Sequence, residues 1–170
     1  GGIQGSEVRD ILEVHNTLRR SISAGTFVAK GRRMPAAATP IPDLTWDCDI
    51  EKSAQAVSDR CAFAHSKNLN NLGENLYQQT MNGQETIAGK GKRASQLWAD
   101  EFQQFGWANI RLGLGAFTDS VGHATQMAWA NSTKIGCGES LCKGGNQVIV
   151  ACQYRNAGNV LFENVYEPKA

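Results

Sequence analysis

Val148-Ile149-Val150-Ala151-Cys152-Gln153-Tyr154 is the clearest strand signal in the chain. Its β-branched residues and terminal aromatic suit a pleated surface, and the run has a strand's length rather than a helix's. Outward from it, Val160-Leu161-Phe162 begins another candidate strand, and Gly73-Glu74-Asn75-Leu76-Tyr77 is a weaker one. Three stretches carry helical spacing instead. Val8, Ile11, Leu12, His15, Leu18 and Ile22 form one stripe after Ser6, a candidate N-cap. Asp47 reads as the N-cap of a second helix, with Cys48 in its first turn and Ile50, Ala54, Val57 and Cys61 on one face. A third helix is predicted over about 87–105, weakened by Gly89 and Gly91, with a stripe of Ala94, Leu97, Trp98, Phe102 and Phe105. A short helix over about 123–130 precedes the strand. Helices and strands mix without a repeated strand–helix unit, which predicts a sheet with helices packed around it.

The chain has 170 residues, 41% hydrophobic and 19% charged. That is one domain's length and a globular composition, so disordered, coiled-coil and collagen-like classes are excluded. Seventeen Lys+Arg against sixteen Asp+Glu leave a formal charge of +1, so no electrostatic bias toward nucleic acid or an anionic membrane is expected. The longest apolar runs fall far short of the roughly 18 residues of a membrane span, so no transmembrane segment is expected. Gly1-Gly2-Ile3 carries no signal-peptide pattern and reads as a mature terminus. Residues 25–42, with two glycines and three prolines, read as a long solvated surface loop.

Two side chains stand out on apolar stripes. His15 reads as a satisfied core histidine. Glu101, three residues after Trp98, faces the buried side, where a carboxylate is costly unless paired. Five cysteines leave one unpaired in an oxidising compartment. If Cys48 and Cys61 share one helix, about 20 Å separates them, beyond the roughly 7 Å that a disulfide spans. Cys137 with Cys152 is the nearest hairpin pairing, which leaves Cys48 and Cys61 competing for Cys142. Asn131-Ser132-Thr133 is an N-glycosylation acceptor triplet and points to secretion.

Four ordered segments carry a resemblance. They are His15-Asn16-Thr17-Leu18-Arg19, Gly73-Glu74-Asn75-Leu76, the stretch from Gly122-His123-Ala124-Thr125-Gln126 to Asn131-Ser132, and the stretch from Ile149 to Val160. Together they resemble the CAP superfamily of sperm-coating, venom antigen 5 and plant pathogenesis-related proteins. Trp46-Asp47-Cys48 and Cys61-Ala62-Phe63-Ala64-His65-Ser66 are most similar to the activation-associated secreted proteins of parasitic nematodes. The resemblance covers about residues 7–167 of a single domain spanning 1–170. Ala124 stands where an aromatic residue is usual, and Asn156 where proline or another residue is usual; both departures bear on local shape.

The resemblance implies an α+β fold, a three-layer α-β-α sandwich with a central antiparallel sheet. It implies a cleft holding His65, Glu74, Glu101 and His123, which would explain Glu101 on its apolar face. It implies disulfides Cys61–Cys142 and Cys137–Cys152, leaving Cys48 for an intermolecular bond and a disulfide-linked homodimer. His65 and His123 would hold zinc or another divalent metal weakly, with the glutamates as outer-shell partners. The function implied is a secreted, extracellular binding protein of host–parasite interaction or immune modulation, whose partner is a host protein or a small apolar ligand such as a sterol or fatty acid. The alternative is a metal-dependent hydrolase in which Glu101 or Glu74 activates a water. No metalloprotease His-Glu-x-x-His helix or Gly-x-Ser-x-Gly elbow is present.

Overall fold

The computed structural model describes residues 3–83, 86–115 and 120–170, so Gly1-Gly2 of the expected terminus lies outside it. In chain order the elements are α1 (Gly5–Ala24), β1 (Val28–Ala29), β2 (Arg32–Arg33), β3 (Thr45–Trp46), α2 (Cys48–Asp59), β4 (Leu72–Thr80), α3 (Lys90–Ala99), α4 (Glu101–Phe105), α5 (Gly122–Ala128), β5 (Lys134–Cys142) and β6 (Gln147–Arg155). The main sheet has the order β3-β5-β6-β4. β6, the strand read first from sequence, lies between β5 and β4 and pairs antiparallel with both. The expected antiparallel sheet holds for these strands. It is corrected at the edge, where β3 runs parallel to β5.

Strand alternation divides the core. Val150, Cys152 and Tyr154 of β6 face the large core with α1 and α3, whereas Ala151 packs with Ala54 and Val57 of α2 and Leu76 of β4. α2 therefore covers one face of the sheet and the remaining helices the other. This is the expected three-layer α-β-α sandwich. On β5, a side chain at Gly136 or Gly138 would run into the backbone of α2 at Glu51 or Gln55, so glycine permits the close approach of helix to sheet.

Local signals set most element ends. Asp47 Oδ1 accepts the Asp49 and Ile50 N–H groups at 2.9 and 3.0 Å, as its capping role predicts. α1 begins before Ser6, with Gln4 as its N-cap and no side-chain cap bond. The predicted third helix is shorter and broken. It starts at Lys90 after Gly89 in a left-handed conformation, and Asp100 separates α3 from α4. Ala94, Trp98 and Phe102 of its stripe are buried, but Leu97 and Phe105 are exposed. Val160-Leu161-Phe162 forms no strand; the nearby pairing is an isolated bridge between Arg111 and Asn164. Asn156 has a φ of 57°, a left-handed backbone that proline cannot adopt and asparagine tolerates.

The segment 25–42 differs most from its reading as a solvated loop. It holds the β1–β2 ribbon and buries Phe27, Ala29, Met34, Ala37 and Ile41. Arg19 ties it down. This fully buried guanidinium donates to the carbonyls of Pro42, Met127, Trp129 and Ser132 at 2.8–2.9 Å. Backbone carbonyls that would otherwise be buried without donors are thereby satisfied.

Candidate functional site

Glu74 lies on the edge strand β4, in register with Gln153 of β6. Its carboxylate is almost wholly buried and takes four hydrogen bonds. Ser66 N–H donates to Oε1 at 2.8 Å, Ser66 Oγ to Oε2 at 2.8 Å, Gln153 Nε2 to Oε2 at 2.8 Å, and His65 Nδ1 to Oε1 at 2.9 Å. Burial pushes this carboxyl upward, but the donors from Gln153, Ser66 and His65 outweigh it, so Glu74 sits below the ordinary glutamate value. Gln153 is oriented in turn by Ser53 of α2, whose Oγ donates to Gln153 Oε1 at 2.5 Å. His65 follows the Cys61–Cys142 disulfide, which pins its loop to the end of β5.

The second pair sits across the cleft. Glu101 opens α4, and its Oε2 accepts from His123 Nδ1 at 2.7 Å while Oε1 accepts the Ala124 N–H at 3.0 Å. Trp98 stacks on the His123 ring, with centroids 5.8 Å apart and planes 11° from parallel. Asn75 Nδ2 donates to the His123 carbonyl at 3.0 Å and to Tyr154 Oη at 3.2 Å. Behind it, His15 is fully buried. Its Nδ1 donates to Ile11 O at 2.8 Å and its Nε2 lies 2.7 Å from Tyr154 Oη. Burial lowers this imidazole to about 4, against the Ile11 carbonyl and with the Arg19 charge. His15 is thus the satisfied core histidine that its spacing predicts.

All four expected residues, His65, Glu74, Glu101 and His123, line one cleft of about 530 Å³, with Asn75, Phe105 and Asn159 also on its walls. Each histidine commits its Nδ1 proton to a carboxylate, which fixes the tautomer and leaves Nε2 as a lone-pair donor. Two such nitrogens fit a divalent transition metal. Among the described residues, no group of three or more His, Cys, Asp or Glu side chains is arranged to hold a metal in a closed cage. Sequence spacing missed Ser66, Gln153 and Ser53, which hold Glu74. The one available signal was Gln153, a polar amide inside an otherwise apolar strand.

The cysteines complete the frame. Cys61–Cys142 and Cys137–Cys152 are both bonded within the chain, and Cys48 is free and exposed. Among the described residues, no helix is long and apolar enough to cross a membrane.

A family model for the cysteine-rich secretory protein family matches residues 12–154, which include all four cleft residues and both disulfides. The chain belongs to this CAP family. It is similar to venom allergen 5 of Rhynchium brunneum, at 31% identity over 98% of this chain and 77% of that one. It is similar to the Ancylostoma secreted protein of Ancylostoma caninum, at 33% identity over 94% of this chain but only 38% of that protein's length. Among solved structures, NaASP2 with Zn2+ superposes with a TM-score of 0.91 at 33% identity, covering 99% of this chain and 89% of the other. BmVAL-1 gives the same TM-score at 32% identity, covering 99% and 86%. A CAP chain with two intramolecular disulfides and secreted relatives is a secreted, extracellular protein.

Proposed function

We propose that this CAP protein acts by binding rather than by turnover, in host–parasite interaction, and that its cleft takes a divalent metal such as zinc through Nε2 of His65 and His123. The observation that carries the metal reading is the pair of Nδ1–carboxylate bonds, at 2.9 and 2.7 Å, which turn both imidazoles into oriented neutral donors on one cleft. NaASP2, a structure with Zn2+, supports it. Two protein ligands are fewer than the three usual for catalytic zinc, so the metal is weakly held and water completes its coordination. Isothermal titration of the metal-free protein with zinc should show one site, and His65→Ala and His123→Ala should each weaken it by at least about tenfold. Affinity unchanged by either substitution would overturn the assignment.

A small apolar ligand, such as a sterol or fatty acid, is the second ligand in this proposal; the half-exposed Phe105 is the one large apolar side chain of an otherwise polar wall and is where it would rest. Labelled sterol and fatty acid should bind the wild type, and Phe105→Asp should lose the binding. Cys48 is the remaining element of the proposal. Two exposed Cys48 thiols, one from each of two copies, would give up two protons and two electrons to a disulfide oxidant of the secretory compartment and join as one intermolecular disulfide, making a homodimer.

A further inference from the structure

Asn131-Ser132-Thr133 is the only Asn-x-Ser/Thr triplet in the sequence. Its three residues have sharply different surroundings. Asn131 and Thr133 are exposed, while Ser132 between them is fully buried. Asn131 lies in a turn on the wall of a groove of about 600 Å³ shared with Pro40, Ile41, Trp129 and Val160, so there is room beside its side chain for a sugar.

The backbone of the triplet is pinned on every side. Ser132 N–H donates to Trp129 O at 3.1 Å, and Ser132 O accepts from Arg19 Nη2 at 2.8 Å. Ser132 Oγ donates to Asn156 O at 2.6 Å and accepts from Gln126 Nε2 at 3.1 Å. Thr133 N–H donates to Arg155 O at 3.1 Å, and Thr133 O accepts from Thr45 N–H at 3.2 Å. Asn156 Nδ2 caps the Asn131 carbonyl at 3.0 Å. A transferase must draw the tripeptide into its own binding cleft, which these bonds forbid in the folded chain. The locks at Arg155 and Asn156 lie at and just beyond the end of β6, and so are made after the triplet. At ordinary synthesis rates of about 5–20 residues per second, the interval between them lasts on the order of seconds.

We infer that Asn131 carries an N-linked glycan, and that it is attached before β6 closes on β5 and seals Ser132. The donor is a lipid-diphosphate-linked oligosaccharide of the secretory pathway. Asn131 Nδ2 forms a bond to the anomeric carbon of the first sugar, the bond from that carbon to the diphosphate oxygen breaks, the amide gives up one proton, and the lipid diphosphate leaves. Nothing is oxidised or reduced. Thr133, the second recognition element of the triplet, is an exposed residue two positions on.

The test has two arms. Secreted protein from insect cells should show a glycan mass that peptide N-glycosidase removes and that is absent from Asn131→Gln and Thr133→Ala. These are surface positions, so both variants should keep the wild-type melting profile. An unmodified secreted wild type would overturn the site. In the second arm, purified oligosaccharyltransferase and lipid-linked oligosaccharide are offered the unglycosylated chain, either folded and oxidised or reduced and alkylated. Folded chains open globally only about one part in a thousand or less of the time, so transfer to the folded chain should be at least a hundredfold slower. Equal transfer to both forms would overturn the requirement for attachment before folding.

Discussion

Gln153 donates its side-chain amide to Glu74 Oε2 at 2.8 Å, so the carboxylate that orients His65 is itself held from the middle of the sheet. Because Ser53 Oγ donates to Gln153 Oε1, the amide has one usable orientation. A helix on one face of the sheet is in this way connected to an imidazole at the cleft.

That connection can be broken without touching a ligand. Gln153→Leu leaves the buried Glu74 carboxylate short of a donor, which should cost about 1–3 kcal/mol of stability and weaken zinc binding by about 10–100-fold. Nitrogen chemical shifts of His65 should show a mixed tautomer where the wild type shows Nδ1–H alone. An unaltered tautomer with weakened zinc binding would mean that Gln153 acts by another route.

Acid should release the metal. Protons compete with it for the imidazole nitrogens, so zinc affinity should fall steeply on acidification and recover on return to neutral pH. Titration at several pH values checks this. A pH-independent affinity would rule out the two histidines as ligands.

Glu139 on β5 gives stability a pH dependence of its own. Burial, and then a hydrogen bond to the neighbouring Glu7 carboxyl and its charge, push this carboxyl well above the ordinary glutamate value, with a backbone bond from Gly91 opposing. The folded chain therefore keeps a proton that the unfolded chain loses. Stability from this group is greatest below the ordinary carboxylate range and falls as pH rises from there toward the raised folded value. Melting temperatures between about pH 5 and pH 9 should decline for the wild type, and Glu139→Gln should be flatter and more stable at the alkaline end.

Gly138→Val should be among the most damaging single changes in the sheet, because Gly138 is buried against α2. Its side chain would meet the Gln55 backbone, so α2 must move or β5 must bend, at a cost of about 1–3 kcal/mol or more. Thermal unfolding measures it, and Gly113→Val, where nothing lies near and the backbone is not left-handed, is the control for steric crowding.

Cys48→Ser should abolish the dimer band on non-reducing electrophoresis and leave both intramolecular disulfides intact by mass. A dimer that survives the substitution would not be a Cys48 disulfide.

The sequence by itself determined the strand 148–154, the Asp47 cap, the core role of His15 and, through its four motifs, the family and the identity of the cleft residues. These are readable because periodicity, capping and motif order are properties of neighbouring residues. Tertiary structure alone decided what those residues meet. It placed Glu101 on the second short helix rather than inside a continuous one, set β3 parallel at the sheet edge, and folded the 25–42 segment over the core under the Arg19 guanidinium. It also supplied the donors at Ser66 and Gln153 that make Glu74 a carboxylate able to hold an imidazole. Hydrogen bonds of this kind join atoms from distant parts of the chain, and their strength depends on burial and angle, neither of which has a local sequence signature.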